Sequence, residues 1–274
     1  MELSIAFAAI AATISQASVP SQQSAIALKP STPWNLQYAD NMCLLQRSFG
    51  TGDQLVVLGF QPGMLSDDGR IVLVRQASKP GLTYGEAQVS FDNGAGTFTG
   101  RYFENLLKDG KTRAALIDFK QDKLSAMDSA SRINIRMGDF ATSLALSAVG
   151  KAKKALDTCQ RDLFVSWGMD RSIVNSIAVF PKAIGGAASF FTPNDYPDQA
   201  LRQNSQGTAG VRFWVDKAGR PRDCKAIQSS GNKILDNRTC AVIVKRGRFE
   251  PARMANGQPT ESIGFLRIRW EIPD

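Results

Sequence analysis

The side chains that most often do chemistry are scarce in this chain, and one type is missing. Among its 274 residues there is no histidine, which removes Ser-His-Asp and Cys-His catalysis, histidine-ligated zinc and histidine pH switching together. The four cysteines, Cys43, Cys159, Cys224 and Cys240, include no Cys-x-x-Cys pair, so a structural metal has no ligand set of the usual spacing. No Gly-x-Ser-x-Gly elbow is present. The Gly94-Ala95-Gly96 and Gly100 cluster lacks the lysine and following helix of a phosphate loop, and reads as a hairpin turn beside a strand glycine. Asp67-Asp68-Gly69 has no further oxygen ligands at fixed spacing and reads as a turn rather than a calcium loop. No catalytic residue, metal ligand or cofactor is therefore assigned. Two kinds of chemistry remain, disulfide bonding and the hydrogen bonding of a strand edge.

The strand in question ends the chain. Leu266, Ile268, Trp270 and Ile272 alternate with Phe265, Arg267, Arg269 and Glu271, the period of two that marks a half-buried strand. The elements that must position it precede it. Pro197 can open a short helix over 198–203, and alternation over 209–216 puts Val211, Phe213 and Val215 on one face of a strand. A tight turn through Gly219 returns the chain as an antiparallel strand over 222–229. A helix follows over 233–246, capped by Asn232 and closed by Gly247 in a left-handed conformation. The expected module is a three-stranded antiparallel sheet with two helices on one face.

These residues resemble the C-terminal domain of TonB-type energy transducers. The resemblance lies in an ordered set: Tyr196-Pro197, Gly207 before Val211-Arg212-Phe213, Asp216-x-x-Gly219-Arg220, Ser229-Ser230-Gly231, Leu235-Asp236, Arg248-Phe249-x-Pro251-Ala252 and Gly257-x-Pro259. It covers under a third of the chain. Gly247 departs from the family, which usually has an aromatic residue before the Arg-Phe pair. The resemblance implies a periplasmic domain that grips a peptide motif of a TonB-dependent outer-membrane receptor by adding it to the last strand. It also implies energy supplied by inner-membrane motor proteins through a membrane anchor. The expected partner-binding edge is Ile263, Phe265, Arg267, Arg269 and Glu271, with Phe265, Arg267 and Arg269 on the partner side. A plainer role for these arginines, compatible with the first, is to guard an exposed edge against aggregation.

The rest of the chain divides by composition. Residues 1–18 contain an apolar run too short for a comfortable membrane anchor and read as an export signal, although no Lys or Arg precedes the run. Residues 19–33 read as a flexible leader. Residues 34–182 read as a β-rich domain, an antiparallel sandwich or barrel-like body, with strands near 55–60, 70–76, 87–91, 97–103, 114–119 and 132–137. Helical spacing from Phe140 through Leu144, Leu156 and Cys159 to about Trp167 predicts a long closing helix. Residues 183–193 are the expected linker, overlapping a hinge-like stretch over 169–189, and 194–274 form the C-terminal module; the fold class is α+β.

Four cysteines allow three connectivities. Pairing Cys224 with Cys240 and Cys43 with Cys159 keeps each bridge within one domain and fits an oxidising compartment. The net charge of +8 comes from dispersed basic residues, with no Lys/Arg block and no stacking-aromatic motif, so nucleic acid is not the expected partner. The leading expectation is a periplasmic TonB-like binding protein linked to energy-coupled transport across the outer membrane. Two alternatives stay open: an exported enzyme with its active site in the N-terminal domain, and a cell-envelope scaffold bound to peptidoglycan or to a second copy of itself as a homodimer.

Overall fold

The computed structural model describes residues 26–63, 68–77 and 83–272. The expected signal, Asp67 of the aspartate turn, and the last two residues lie outside these. Nine strands form the first sheet: β1 (Asn35–Ala39), β2 (Met42–Phe49), β3 (Val56–Gln61), β4 (Asp68–Gln76), β5 (Thr83–Phe91), β6 (Thr97–Leu106), β7 (Thr112–Lys120), β8 (Arg132–Met137) and β9 (Phe140–Ala145). Every neighbour is antiparallel, in the order β1-β2-β3-β4-β7-β6-β5-β8-β9. The hairpins of β5, β6 and β7 thus run back across the sheet before β8 continues it.

The two ends of the sheet are stitched together by residues expected to belong to a leader. Leu28 bridges Leu144 of β9 in parallel, and Pro30 bridges Phe49 of β2. The Leu28 N–H donates to the Ser143 carbonyl at 2.8 Å and the Gly50 N–H to the Lys29 carbonyl at 3.0 Å. Sharing this segment links β9 to β2 and curls the sheet into a barrel-like body, with β1 left at its margin. One face of each strand is apolar at period two, as in Leu45, Phe49, Leu58, Phe60, Ile71, Leu73, Ile117, Ile133 and Ile135, and these side chains make one core. A buried ion cluster sits in this domain as well, where Glu104 accepts from Arg75 Nε at 2.9 Å and faces Arg113 Nε at 2.9 Å.

The helix α1 (Val149–Ser166) packs Val149, Ala152, Leu156, Cys159, Leu163 and Phe164 into that core. It is shorter than its periodicity predicts. Phe140 and Leu144 lie on β9, not on the helix, because the turn after Met137 pairs residues 140–145 with β8. A completed ladder outweighs a helical spacing that 144 and 148 also happen to satisfy. The disulfide Cys43–Cys159 fastens α1 to β2.

The stretch expected to act as a hinge is instead knitted to the C-terminal module. It holds α2 (Arg171–Ser176), capped by the Asp170 carboxylate, then β10 (Ile177–Val179) and β11 (Lys182–Ala183). The module itself contains α3 (Asp198–Arg202), β12 (Gly207–Val215), β13 (Pro221–Gln228), α4 (Lys233–Arg246), β14 (Phe249–Glu250), β15 (Ala252–Met254), β16 (Pro259–Thr260) and β17 (Ser262–Trp270). Strand β10 pairs with β15, and β11 with β14. The main sheet of the module has the order β13-β12-β17.

Local chemistry explains the module's turns. Asp216 Oδ1 accepts from the N–H groups of Ala218 and Arg220 at 2.9 and 2.8 Å. Gly219 has φ +77°, and a Cβ there would stand 1.8 Å from the Phe249 carbonyl oxygen, so both conformation and space demand glycine. Ser229 Oγ and the Ser230 N–H donate to the Asp236 carboxylate at 2.7 and 2.8 Å, which fixes the start of α4 to the end of β13. Gly247 is not left-handed as its place after α4 suggests; it is extended, with φ −55° and ψ 137°. Its lack of a side chain answers crowding, since a Cβ would meet the Ile243 carbonyl oxygen at 2.5 Å and both Phe249 and Pro221 at 3.1 Å. The disulfide Cys224–Cys240 ties β13 to α4.

Candidate functional site: the open flank of the last strand

All nine residues of β17 pair with β12, from Ser262 opposite Val215 to Trp270 opposite Gly207. Leu266 and Ile268 pack with Val211, Phe213, Val242 and Ile243 under the helices. Trp270 packs with Ala200 and Leu235, its indole N–H donating to Thr239 Oγ1 at 2.8 Å. This is the face expected from alternation.

Among the described residues no strand lies beside the other flank of β17, which stands at the margin of its sheet. In an antiparallel pair, residues that bond the neighbour alternate with residues whose N–H and C=O point away. The Ile263 N–H points away from β12 and donates to Met169 Sδ at 3.3 Å. Phe265, Arg267 and Arg269 share its parity and so present their main-chain groups to the open flank. Beyond Met169 that flank borders a cleft of about 890 Å³. Phe265, Leu266 and Arg267, three successive residues of β17, line it together. The barrel faces it with Gly69, Arg70, Gly100, Arg101 and Asp118, and Ala183, Gly185, Gly186 and Ala187 also line it.

The expected edge residues have distinct surroundings. Ile263 is fully buried. Phe265 is 4 % exposed and belongs to the barrel's core, with its ring 5.6 Å from Trp167. Arg267 is half-buried above Phe265, 4.9 Å from ring centroid to guanidinium carbon. Its acceptors are neutral: the Asn41 carbonyl at 3.3 Å, Gln228 Oε1 at 3.4 Å and, with the Gln61 amide oxygen facing it, Gln61 at 2.9 Å from Nη1. Among the described residues no carboxylate pairs with it. Burial, with the charge of Arg70 adding to it, lowers the Arg267 pKa to about 10. Arg269 is exposed, pairs with Glu271 at 2.5 Å and stands 5.8 Å over the Phe103 ring.

The face of the module opposite its helices is therefore covered by the N-terminal domain, with Trp214 and Phe265 packed against that core. Sequence reasoning placed neither Asn41, Gln61 nor Met169 near β17, and no local pattern announces them. One signal was available: Trp214 and Phe265 are large apolar groups on the supposedly open side of their strands, as expected when both faces of a sheet are buried.

The module is thus a small α+β unit, with α3 and α4 on one side of β13-β12-β17 and its final strand at the sheet margin. Residues 192–272 match the family described as the Gram-negative bacterial TonB protein C-terminal. The matched segment contains the turn at Asp216 to Arg220, the Ser229 and Ser230 bonds to Asp236, and Gly247 described above. A search of curated proteins finds no match to the chain.

Proposed function

We propose that the protein acts in the Gram-negative cell envelope as a TonB-like binding protein, taking up an extended segment of a TonB-dependent outer-membrane receptor as an added strand on β17, in the service of energy-coupled transport across the outer membrane. The observation that carries this reading is the unpaired flank of β17, bordered by an open cleft and lying within the segment that matches the TonB family. That family domain is a transducer domain and not an enzyme, which supports a binding role for this end of the chain. Export to the periplasm is supported by two disulfides, one in each part of the molecule. Among the described residues no helix is long and apolar enough to cross a membrane.

The test uses prolines of opposite parity. The Arg269 N–H faces the flank, so Arg269→Pro removes a donor from the edge and spares the bonds to β12. Ile268→Pro removes a bond to β12 and destabilises the sheet. Immobilised full-length protein should retain outer-membrane receptors from solubilised membranes, Arg269→Ala should retain most of that capture, and Arg269→Pro should lose it while melting close to the parent. Undiminished capture by a folded Arg269→Pro variant would show that edge pairing is not the mode.

A further inference from the structure

Three arginines, Arg70, Arg101 and Arg267, line the cleft beside β17, and among the described residues Asp118 is the carboxylate that lines it with them. Arg70 is already committed to Asp118 at 2.8 Å, whereas Arg267 has neutral acceptors and Arg101 is exposed on β6 with no carboxylate partner among the described residues. We propose that this cleft selects an acidic extended peptide, with the N-terminal domain forming the second wall of the peptide site. The proposal rests on the strand-addition reading and adds the chemistry of the partner to it.

The geometry makes a specific demand. A strand added to β17 lies about 4.8 Å from it, which places it inside the cleft, and its side chains alternate between two walls. Those turned to the barrel meet Arg267, Arg101 and Arg70. Those turned the other way meet Ala183, Gly185, Gly186 and Ala187, whose small size leaves room for β-branched groups. A residue opposite Arg267 has its Cβ roughly 5 Å from that of the arginine, so an Asp or Glu there can accept from the guanidinium in a charge-assisted bond. Such a carboxylate would also separate the charges of Arg267 and Arg70, which now act on each other across the cleft. The barrel is then part of the recognition surface, and the preferred peptide alternates acidic with small or β-branched residues.

Fluorescence anisotropy on the full chain tests this with three labelled peptides, alternating Val with Glu, Val with Gln and Val with Lys. The Glu peptide should bind about tenfold more tightly than the Gln peptide, the worth of one charge-assisted bond, and the Lys peptide should bind least. Arg267→Gln and the exposed Arg101→Gln should each shrink the Glu preference, Arg101→Gln serving if Arg267→Gln melts early. Arg269→Pro should abolish binding of all three. Equal binding of the Glu and Gln peptides, both still lost in Arg269→Pro, would overturn acidic selection and leave strand addition standing. A Glu preference that survives Arg269→Pro would overturn the proposal from the other side, by showing an anion site that needs no added strand. So would a dimer in sedimentation that Arg269→Pro dissociates, since a second copy of the chain would then occupy the flank.

Discussion

Phe265→Ala offers the sharpest test of how the two parts of the molecule are joined. Phe265 belongs to a strand of the C-terminal module, yet it is 4 % exposed within the barrel's core and lies 5.6 Å from Trp167, just beyond α1. Truncating a buried Phe costs about 3–5 kcal/mol, and the loss of its ring from beneath Arg267 adds to the cavity term. In a chain of this length that should lower the thermal midpoint by roughly 10 °C. Trp167→Ala should cost a similar amount, with its indole N–H bond to the Asp40 carbonyl at 2.9 Å also lost. Because the two rings touch, the double variant should lose about 1 kcal/mol less than the sum of the singles. Urea unfolding followed by far-ultraviolet circular dichroism measures all three against the parent. Losses that add to within about 0.3 kcal/mol would refute the shared core, and with it the placement of the barrel as a wall of the cleft.

The other predictions concern the parts that hold β17 in place. Closing loops of 16 and 116 residues, the disulfides should stabilise by about 3 kcal/mol for Cys224–Cys240 and about 5 kcal/mol for Cys43–Cys159 in the chain-entropy treatment; paired Cys→Ser variants compared in urea would check the order. Asp195 is 4 % exposed at its side chain and pairs with Arg238 and Arg246. Burial alone would raise its pKa, but the Thr192 N–H, Arg246 and the Thr192 hydroxyl outweigh it and hold the carboxyl at about 2 instead of 3.8. A depressed folded pKa contributes stability above the unfolded value, so up to about 2 kcal/mol should be present above pH 4 and lost as the pH falls towards 2. Asp195→Asn should be weaker at neutral pH and show a flatter loss over that acid window in pH-resolved melts.

The C-terminal module was largely legible because its cues are local. Alternation along 209–216 and 262–270 gave the strands, Asn232 supplied the cap of α4 by accepting from the Ile234 N–H at 2.8 Å, and the Asp216 to Arg220 turn carries its own hydrogen bonds. Six of the barrel strands announced themselves in the same way. What could not be read was set by distant partners. Residues 140–145 satisfy a helical spacing and become a strand because β8 is beside them. Residues 28–31 have no period, and their backbone finds β9 and β2 only once the sheet has curled. The edge itself was expected from the family likeness, but its setting was not. That Arg267 meets Asn41, 226 positions earlier in the chain, is a consequence of docking that no short-range pattern encodes.

Amide hydrogen exchange along β17, read by NMR on the full chain with and without a peptide spanning the extended N-terminal segment of a TonB-dependent outer-membrane receptor, tests the central claim most directly. Addition of a strand at the flank should slow exchange at Phe265, Arg267 and Arg269 and leave the already bonded Leu266 and Ile268 nearly unchanged. Protection that arises elsewhere, or falls equally on both parities, would contradict it.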